Sequence, residues 1–427
     1  MTLTLTTTTA ASTPRTTTTT KGPSPRRHPR RHHSSTRVRA NANACDDDVF
    51  AERESLGALD APVTTRTRRR AFAIASTTIA CSQRGHERTH ARASQTACSY
   101  FDFYNRGVDA EWTRALEWRE GTTASGTFAR VVGDYAEAKK AHKAPILVVN
   151  NGPGISMAYM AGVEVVSGEA RGARECVAYD QIGCGRTPRR GEGDIEAYIA
   201  QADELARDLA LTSEGGAHVV AHGYWGAKIA IEIARARPGL AKSITLVSAA
   251  PSYAAQVNDW RRALNEISVD AREAIETYER DLAPSARRAY DEGMKEFSER
   301  FVSRRSDGAC FAAALAPASS DDLRLAITGG RYFTRAGSLA DDAIDVNGLG
   351  AKLWANGVRS MRVVRGEFDA VSASSARALA DAINADVTSA SNFCAYDEVQ
   401  GAASCVFLDR GDYFFERLNA DAEANDA

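Results

Sequence analysis

The residues best placed to do chemistry run from Ala217 to Ala227, A-H-V-V-A-H-G-Y-W-G-A. They read as a buried strand over residues 218–221, a glycine-bounded turn, and a helix carrying Lys228 to Ala234. Strand, sharp turn and helix is the layout that lifts a nucleophile above a sheet for attack on an ester or amide. Such a turn needs a small, deprotonatable oxygen or sulfur at its tip, a histidine to take the proton, and an acid to orient the histidine. Read in register on its W-G, the turn has Tyr224 at the tip; a shift of one residue puts Gly223 there. Neither register supplies a serine or cysteine. A phenol, with a pKa of about 10 and an oxygen far from the backbone, is a poor substitute. Histidines stand only at 28, 32, 33, 86, 90, 142, 218 and 222, so none follows the turn. His222 is expected to be a packed histidine, its side chain directed away from that of Tyr224, rather than a replacement base.

Other chemistries have less support. Cysteines 45, 81, 98, 176, 184, 310, 394 and 405 include no C-x-x-C pair and no Cys/His spacing suited to zinc, so neither a metal nor a cofactor is expected. Reduced, buried thiols are the expectation, with Cys394 and Cys405 the pair to consider for a disulfide.

The elements that must position these groups follow from composition. A chain of 427 residues that is 44% hydrophobic can bury a full core. Its net charge of −2 gives no reason to expect nucleic acid or a membrane surface as partner. No apolar run approaches the roughly 20 residues of a membrane-spanning helix. The first 45 residues carry eight Lys or Arg and no acid, are rich in Thr and Ser, and include P-S-P-R-R-H-P-R-R-H-H. This composition cannot build a core; it fits a chloroplast transit peptide ending near V-R-A (Val38 to Ala40), with a basic nucleic-acid-binding arm as the competing reading. Residues 46–99 read as a low-order linker or a second, thylakoid-directed segment, on the strength of T-R-T-R-R-R (Thr65 to Arg70), a short apolar run and A-R-A. The folded part is expected from about Tyr100. Thr127 to Tyr135 offers one or two opening strands. Strands at Ile146–Asn150, Cys176–Asp180, Val219–Ala221, Ser243–Ser248, Met361–Arg365 and Ser404–Leu408 alternate with helices at Asp194–Leu209 and Ser372–Ile383 and from Tyr413. That is the rhythm of a mainly parallel sheet covered on both faces. Residues 251–338, helical and rich in Arg and Glu, interrupt it and read as a cap over the sheet; its charges are expected to form a solvated face or a docking surface for an acidic partner.

With these elements in place the motifs resemble a family. N-N-G-P-G (Asn150 to Gly154), Y-D-Q-I-G-C-G-R-T (Tyr179 to Thr187), H-G-Y-W-G-A (His222 to Ala227) and G-E-F-D-A-V (Gly366 to Val371) occur in the order of the α/β-hydrolases of the proline iminopeptidase type. The likeness covers roughly residues 125–420 and extends into the cap at I-T-G-G-R-Y-F-T-R-A-G-S-L (Ile327 to Leu339). It implies an α/β-hydrolase core, residues 100–250 and 339–427, with a helical cap at 251–338. It also implies where the machinery should stand. The nucleophile position falls on Tyr224, the orienting acid on Asp369, and the histidine on Asp412 in R-G-D-Y-F-F-E. An ionised Asp412 would repel Asp369. The oxyanion loop and its neighbours are Asn150, Asn151, Gly152 and Trp225, with the family's His-Gly replaced by two asparagines. The cap position that resembles an anchor for a substrate's amino group is Tyr332. Cys184 belongs to the family's G-C-G turn and is expected to be structural.

Nucleophile, base and amine anchor are thus all replaced. The expectation is a catalytically inactive, proline iminopeptidase-like protein in the chloroplast, stroma or lumen, binding a small molecule, a peptide or a protein partner in the pocket between core and cap. A serine-type aminopeptidase or esterase, and an interaction scaffold using the cap, are the alternatives.

Overall fold

In the computed structural model the described residues are 118–426, apart from 169–171, 192–193, 306–319, 331 and 389–391. Both expected targeting segments, residues 1–45 and 46–99, lie outside them.

The described residues form an eight-stranded sheet in the order β1-β2-β4-β3-β5-β6-β7-β8. Its strands are β1 (Trp118–Thr122), β2 (Phe128–Val132), β3 (Ile146–Val149), β4 (Cys176–Tyr179), β5 (Ala217–His222), β6 (Ala241–Val247), β7 (Ser360–Gly366) and β8 (Cys394–Val399). β2 pairs antiparallel with β1 and β4, and all later pairings are parallel. Every residue of β3, β4 and β5 is buried, as expected for central strands covered on both faces. Alternate side chains divide between the two layers. Leu147, Val149, Val219 and Ala221 enter one core, while Ile146, Val148 and Val220 enter the other. Each such Val, Leu or Ile contributes roughly 1.5–3 kcal/mol by leaving water.

Helix α1 (Tyr135–Lys140) precedes β3, and a 3-10 segment (Met157–Ser167) follows it. Helix α2 (Ile195–Asp208) starts where the Asp194 side chain accepts the Ala197 N–H at 3.1 Å, a cap worth about 1 kcal/mol. Its buried residues Ile195, Tyr198, Ala202 and Leu205 recur at helical spacing and face the sheet. Helix α3 (Gly223–Ala236) begins directly at the end of β5.

Between β6 and β7 lie α4 (Tyr253–Ala263), α5 (Val269–Asp281), α6 (Arg287–Phe301), α7 (Asp321–Thr328) and α8 (Leu349–Ala355). Part of this insertion has its own core, built on Leu264, Ile275, Tyr290, Phe297, Phe301 and Phe333. Its outer charges pair along the helices, as in Arg287–Asp291, Arg288–Glu292 and Lys295–Glu299, which is a solvated face. Helix α9 (Ala373–Asn384) packs on β7 and β8, and α10 (Val406–Asp409) and α11 (Gly411–Glu423) close the chain. Among the described residues no helix is long and apolar enough to cross a membrane.

Two expectations change. The last strand is Cys394–Val399 rather than Ser404–Leu408. β8 is an edge strand whose C-A-Y-D-E-V is only partly buried, so its sequence lacks the apolar run of the central strands. The apolar Val406 and Phe407 pack instead from a short helix. Cys394 and Cys405 are both free, and they belong to different cores.

Candidate functional site

The loops that follow β3, β5, β6, β7 and β8 meet at the carboxyl ends of the parallel strands, where open α/β sheets build their sites. The turn after β5 is sharp. Gly223 takes φ +68° directly after the strand, a left-handed conformation that costs a non-glycine residue roughly 1–2 kcal/mol. The tip is therefore Gly223, and Tyr224 lies one residue further on, inside the first turn of α3. Its side chain is fully buried in the core, with the hydroxyl donating to Asp342 Oδ2 at 2.6 Å. Burial, reinforced by the Asp342 carboxylate, pushes this phenol far above its ordinary range. The left-handed position of the turn is thus held by Gly223, and Tyr224 turns its side chain into the core from helix α3.

Asn151 covers the tip. A Cβ on Gly223 would meet Asn151 side-chain atoms at 2.4–2.6 Å, so the space that a nucleophilic side chain would use is filled from the neighbouring loop. The loop itself is tied down. Asn150 Nδ2 donates to the carbonyls of Asn151 and Ile155, both at 2.8 Å. Trp225 Nε1 donates to Gln181 Oε1 at 2.9 Å, and Gln181 Nε2 donates to the Asn150 carbonyl at 2.8 Å. Gly152 must remain glycine, since a Cβ there would lie 2.6 Å from Trp225 Nε1.

An oxyanion hole in this fold uses the N–H that follows the nucleophile and an N–H of the loop after β3. Here the Tyr224 N–H donates to Gln256 Oε1 at 2.9 Å. The Asn151 N–H donates to the Tyr159 hydroxyl at 2.7 Å, and the Gly152 N–H to Asn151 Oδ1 at 2.9 Å. Each donor is held by a side chain of the protein itself.

Asp369 lies in the turn after β7, buried. Its Oδ1 accepts the Ser248 hydroxyl and the Val371 N–H, both at 2.9 Å, while Oδ2 has no hydrogen-bond partner among the described residues. Burial, against the opposing pull of the Val371 N–H and Arg365, raises this carboxyl to about 7. Asp412 is not brought to it. Asp412 is exposed in the first turn of α11, whereas the loop after β8 brings Ser404.

Ser404 Oγ lies 2.8 Å from Ser248 Oγ and 3.0 Å from His222 Nε2, and His222 Nδ1 lies 2.8 Å from the Tyr159 hydroxyl. His222 is on the same side of β5 as Val220 and opposite to Val219, which is why it faces Tyr159 and Phe407 rather than the core that holds Tyr224. Burial lowers its pKa to about 4, so the ring is neutral. While Asp369 is ionised, the protons of the chain have one sense. Ser248 donates to Asp369, Ser404 to Ser248, and His222 Nε2–H to Ser404; Nδ1 then accepts from Tyr159, which in turn accepts the Asn151 N–H. In that state His222 Nε2 already carries a proton and cannot take one from Ser404. Ser248 itself is held at φ +55°, an uncommon conformation for serine.

Above this chain lies a cavity of about 100 Å³ between sheet and cap. Ile155, Met294, Phe297, Val302 and the Trp260 ring form its walls together with Ser298 and Cys405, and Asn151, Tyr159, His222 and Ser404 its polar floor. Tyr332 is in the wall, stacked on Trp260 at 5.9 Å with the Arg324 guanidinium 4.2 Å from its ring. Cys184 is buried in its turn, its thiol raised to about 12 by burial, and takes no part in the cavity lining. Among the described residues no three His, Cys, Asp or Glu side chains converge as metal ligands. Ser248, Gln256, Tyr159 and Ser404 carry no motif of their own, and only the position of Ser404 five residues after β8 could have drawn attention to it.

Comparison with known proteins agrees with this architecture. The alpha/beta hydrolase family profile matches residues 146–417. A proline iminopeptidase of Heyndrickxia coagulans is 24% identical over 160 residues, 38% of this chain and 54% of that protein. One from Clostridium botulinum is 28% identical over 205 residues, 46% of this chain and 62% of that protein. The chain thus spans 54% to 62% of the length of these two relatives. Among solved structures, VinJ (20% identity, TM-score 0.57) and the proline iminopeptidase of Mycobacterium smegmatis (17%, TM-score 0.55) each align over 72% of this chain and 98% of their own, which shows the shared fold. The chain belongs to the alpha/beta hydrolase family and is similar in sequence to proline iminopeptidases.

Proposed function

We propose that this protein is a catalytically silent α/β-hydrolase that uses the cavity between sheet and cap to bind a small molecule or peptide in a regulatory role. One observation carries the reading: the reaction centre is closed by the protein's own groups. Gly223 offers no nucleophile, Asn151 fills the space above it, and Gln256 and Asn151 hold oxyanion donors. Losing one such donor typically costs a hydrolase about 100-fold to 1000-fold in rate, and here the attacking atom is missing too. Among the described residues no carboxylate lines the cavity to receive a substrate's amino group, and Tyr332 stands in the wall instead.

A second reading has one observation in its favour. Ser404 Oγ is 3.0 Å from His222 Nε2 in the cavity floor, which would suit a serine-type aminopeptidase or esterase if the proton sense of the chain were reversed. Incubation of the purified full chain with Pro-4-nitroanilide, a short-chain nitrophenyl ester and a fluorophosphonate probe separates the two. The expected result is no turnover above buffer and no covalent label. Turnover or labelling that disappears in Ser404→Ala would overturn the silent reading and establish the second.

A further inference from the structure

We propose that the cavity binds a compact, uncharged molecule through a carbonyl-type oxygen received by the side-chain amide of Asn151. This rests on the cavity being a binding site, as argued above, and adds the chemical class of its ligand.

The orientation of Asn151 is decided by a bond already described. Its Oδ1 accepts the Gly152 N–H at 2.9 Å, so the amide nitrogen is the other branch, and among the described residues it has no hydrogen-bond partner. The residue is only 7% exposed and lines the cavity, so this nitrogen is a donor held in place and left over. In the rest of the polar floor, Tyr159, His222 and Ser404 are bonded to one another and onward to Ser248. Two other polar groups stand in the lining besides the floor: Ser298, and Trp260, whose Nε1 is a second buried donor with no hydrogen-bond partner among the described residues. The group that best completes Asn151 is an acceptor without a proton, a carbonyl oxygen above all.

Charge is excluded by what lines the space. Among the described residues no Asp, Glu, Lys or Arg is in the lining, and the neutral His222 offers no counter-charge. An ion seated among these walls would give up part of its hydration with no counter-charge in the lining to replace it, which is unfavourable. An ammonium would in addition face the cap side where the Arg324 guanidinium sits over Tyr332. Size narrows the class further. At about 100 Å³ the cavity is smaller than the roughly 150 Å³ that accommodates benzene, so a five-membered ring or short branched chain suits the Trp260, Phe297 and Val302 walls.

The test uses the full chain at pH 7 and three probes of one shape: cyclopentanone, cyclopentane and pyrrolidine, the last a cation at this pH. Affinities are read by ligand-observed NMR titration. Cyclopentanone should bind at least about tenfold more tightly than either of the others, about the value of one hydrogen bond. Asn151→Asp, which keeps an acceptor for the Gly152 N–H and replaces the free donor by an acceptor, should reverse the order of cyclopentanone and pyrrolidine. Wild-type protein that prefers pyrrolidine, fails to distinguish cyclopentanone from cyclopentane, or binds no probe overturns the inference without any variant. So does a folded Asn151→Asp protein with unchanged cyclopentanone affinity. Hydrolytic activity or fluorophosphonate labelling would overturn the silent reading while leaving this ligand class intact. Preference for the cation in a protein without hydrolysis would overturn only the ligand class.

Discussion

Replacing Asp369 by Asn should expose a pH dependence of stability that the wild-type protein hides. Burial raises the Asp369 carboxyl to about 7 from its ordinary value near 3.8. The folded state therefore holds a proton that the unfolded state releases. The resulting stabilisation is full below about 4 and is lost as pH rises through about 7. Between pH 5 and pH 7 the loss amounts to about 2 kcal/mol, from a maximum of about 4 kcal/mol. His222 works in the other direction. Its folded pKa of about 4 lies below the ordinary 6.5, so its contribution is present above 6.5 and lost as pH falls through about 4, again by about 2 kcal/mol between pH 7 and pH 5. The two nearly cancel across that range. Asparagine retains an oxygen for the Ser248 hydroxyl and Val371 N–H and removes the titration. The assay is urea denaturation of wild type and Asp369→Asn at pH 5, 6 and 7, taking the difference between the two proteins at each pH so that other titrating groups drop out. Relative to wild type, the variant should be about 2 kcal/mol less stable at pH 5 than its standing at pH 7. A difference between the proteins that stays constant within about 0.5 kcal/mol over this range would refute the buried, proton-holding state of Asp369.

Two other predictions concern the turn. Gly223→Ala should destabilise the fold by about 2–4 kcal/mol, from the left-handed backbone and the collision with Asn151, and most of the collision part should vanish in the Asn151→Gly background when both are compared by denaturant midpoints. Rebuilding the chemistry should require Gly223→Ser, Asn151→Gly and Ser404→His together. That triple variant is expected to hydrolyse a nitrophenyl ester measurably above buffer, whereas Tyr224→Ser with Asp412→His should remain at background, and the reverse outcome would return the tip to Tyr224.

The architecture was legible because it rests on local pattern. Central strands such as Ile146–Val149 and Cys176–Tyr179 are continuous apolar runs, and Asp194 opens an amphipathic helix where its capping oxygen can act. The loss of a histidine after Asp369 was legible too, since it is a matter of which letters the chain contains. The edge strand β8 was not. With one side open it needs few apolar residues, and C-A-Y-D-E-V carries no apolar run.

What the sequence by itself determined about this protein is the fold, the insertion after β6, the glycine-bounded turn, and the absence of a serine, cysteine or late histidine at the expected places. What only the tertiary structure decided is which residue is the tip and what closes the site. The choice between Gly223 and Tyr224 depends on a backbone dihedral, which a one-residue ambiguity in a motif cannot resolve. Gln256 on the Tyr224 N–H, Asn151 over Gly223, and the line from Asp369 through Ser248 and Ser404 to His222 join residues 32, 72 and up to 182 positions apart. Such contacts are made by the convergence of loops at one end of a parallel sheet, and nothing local in the chain announces them.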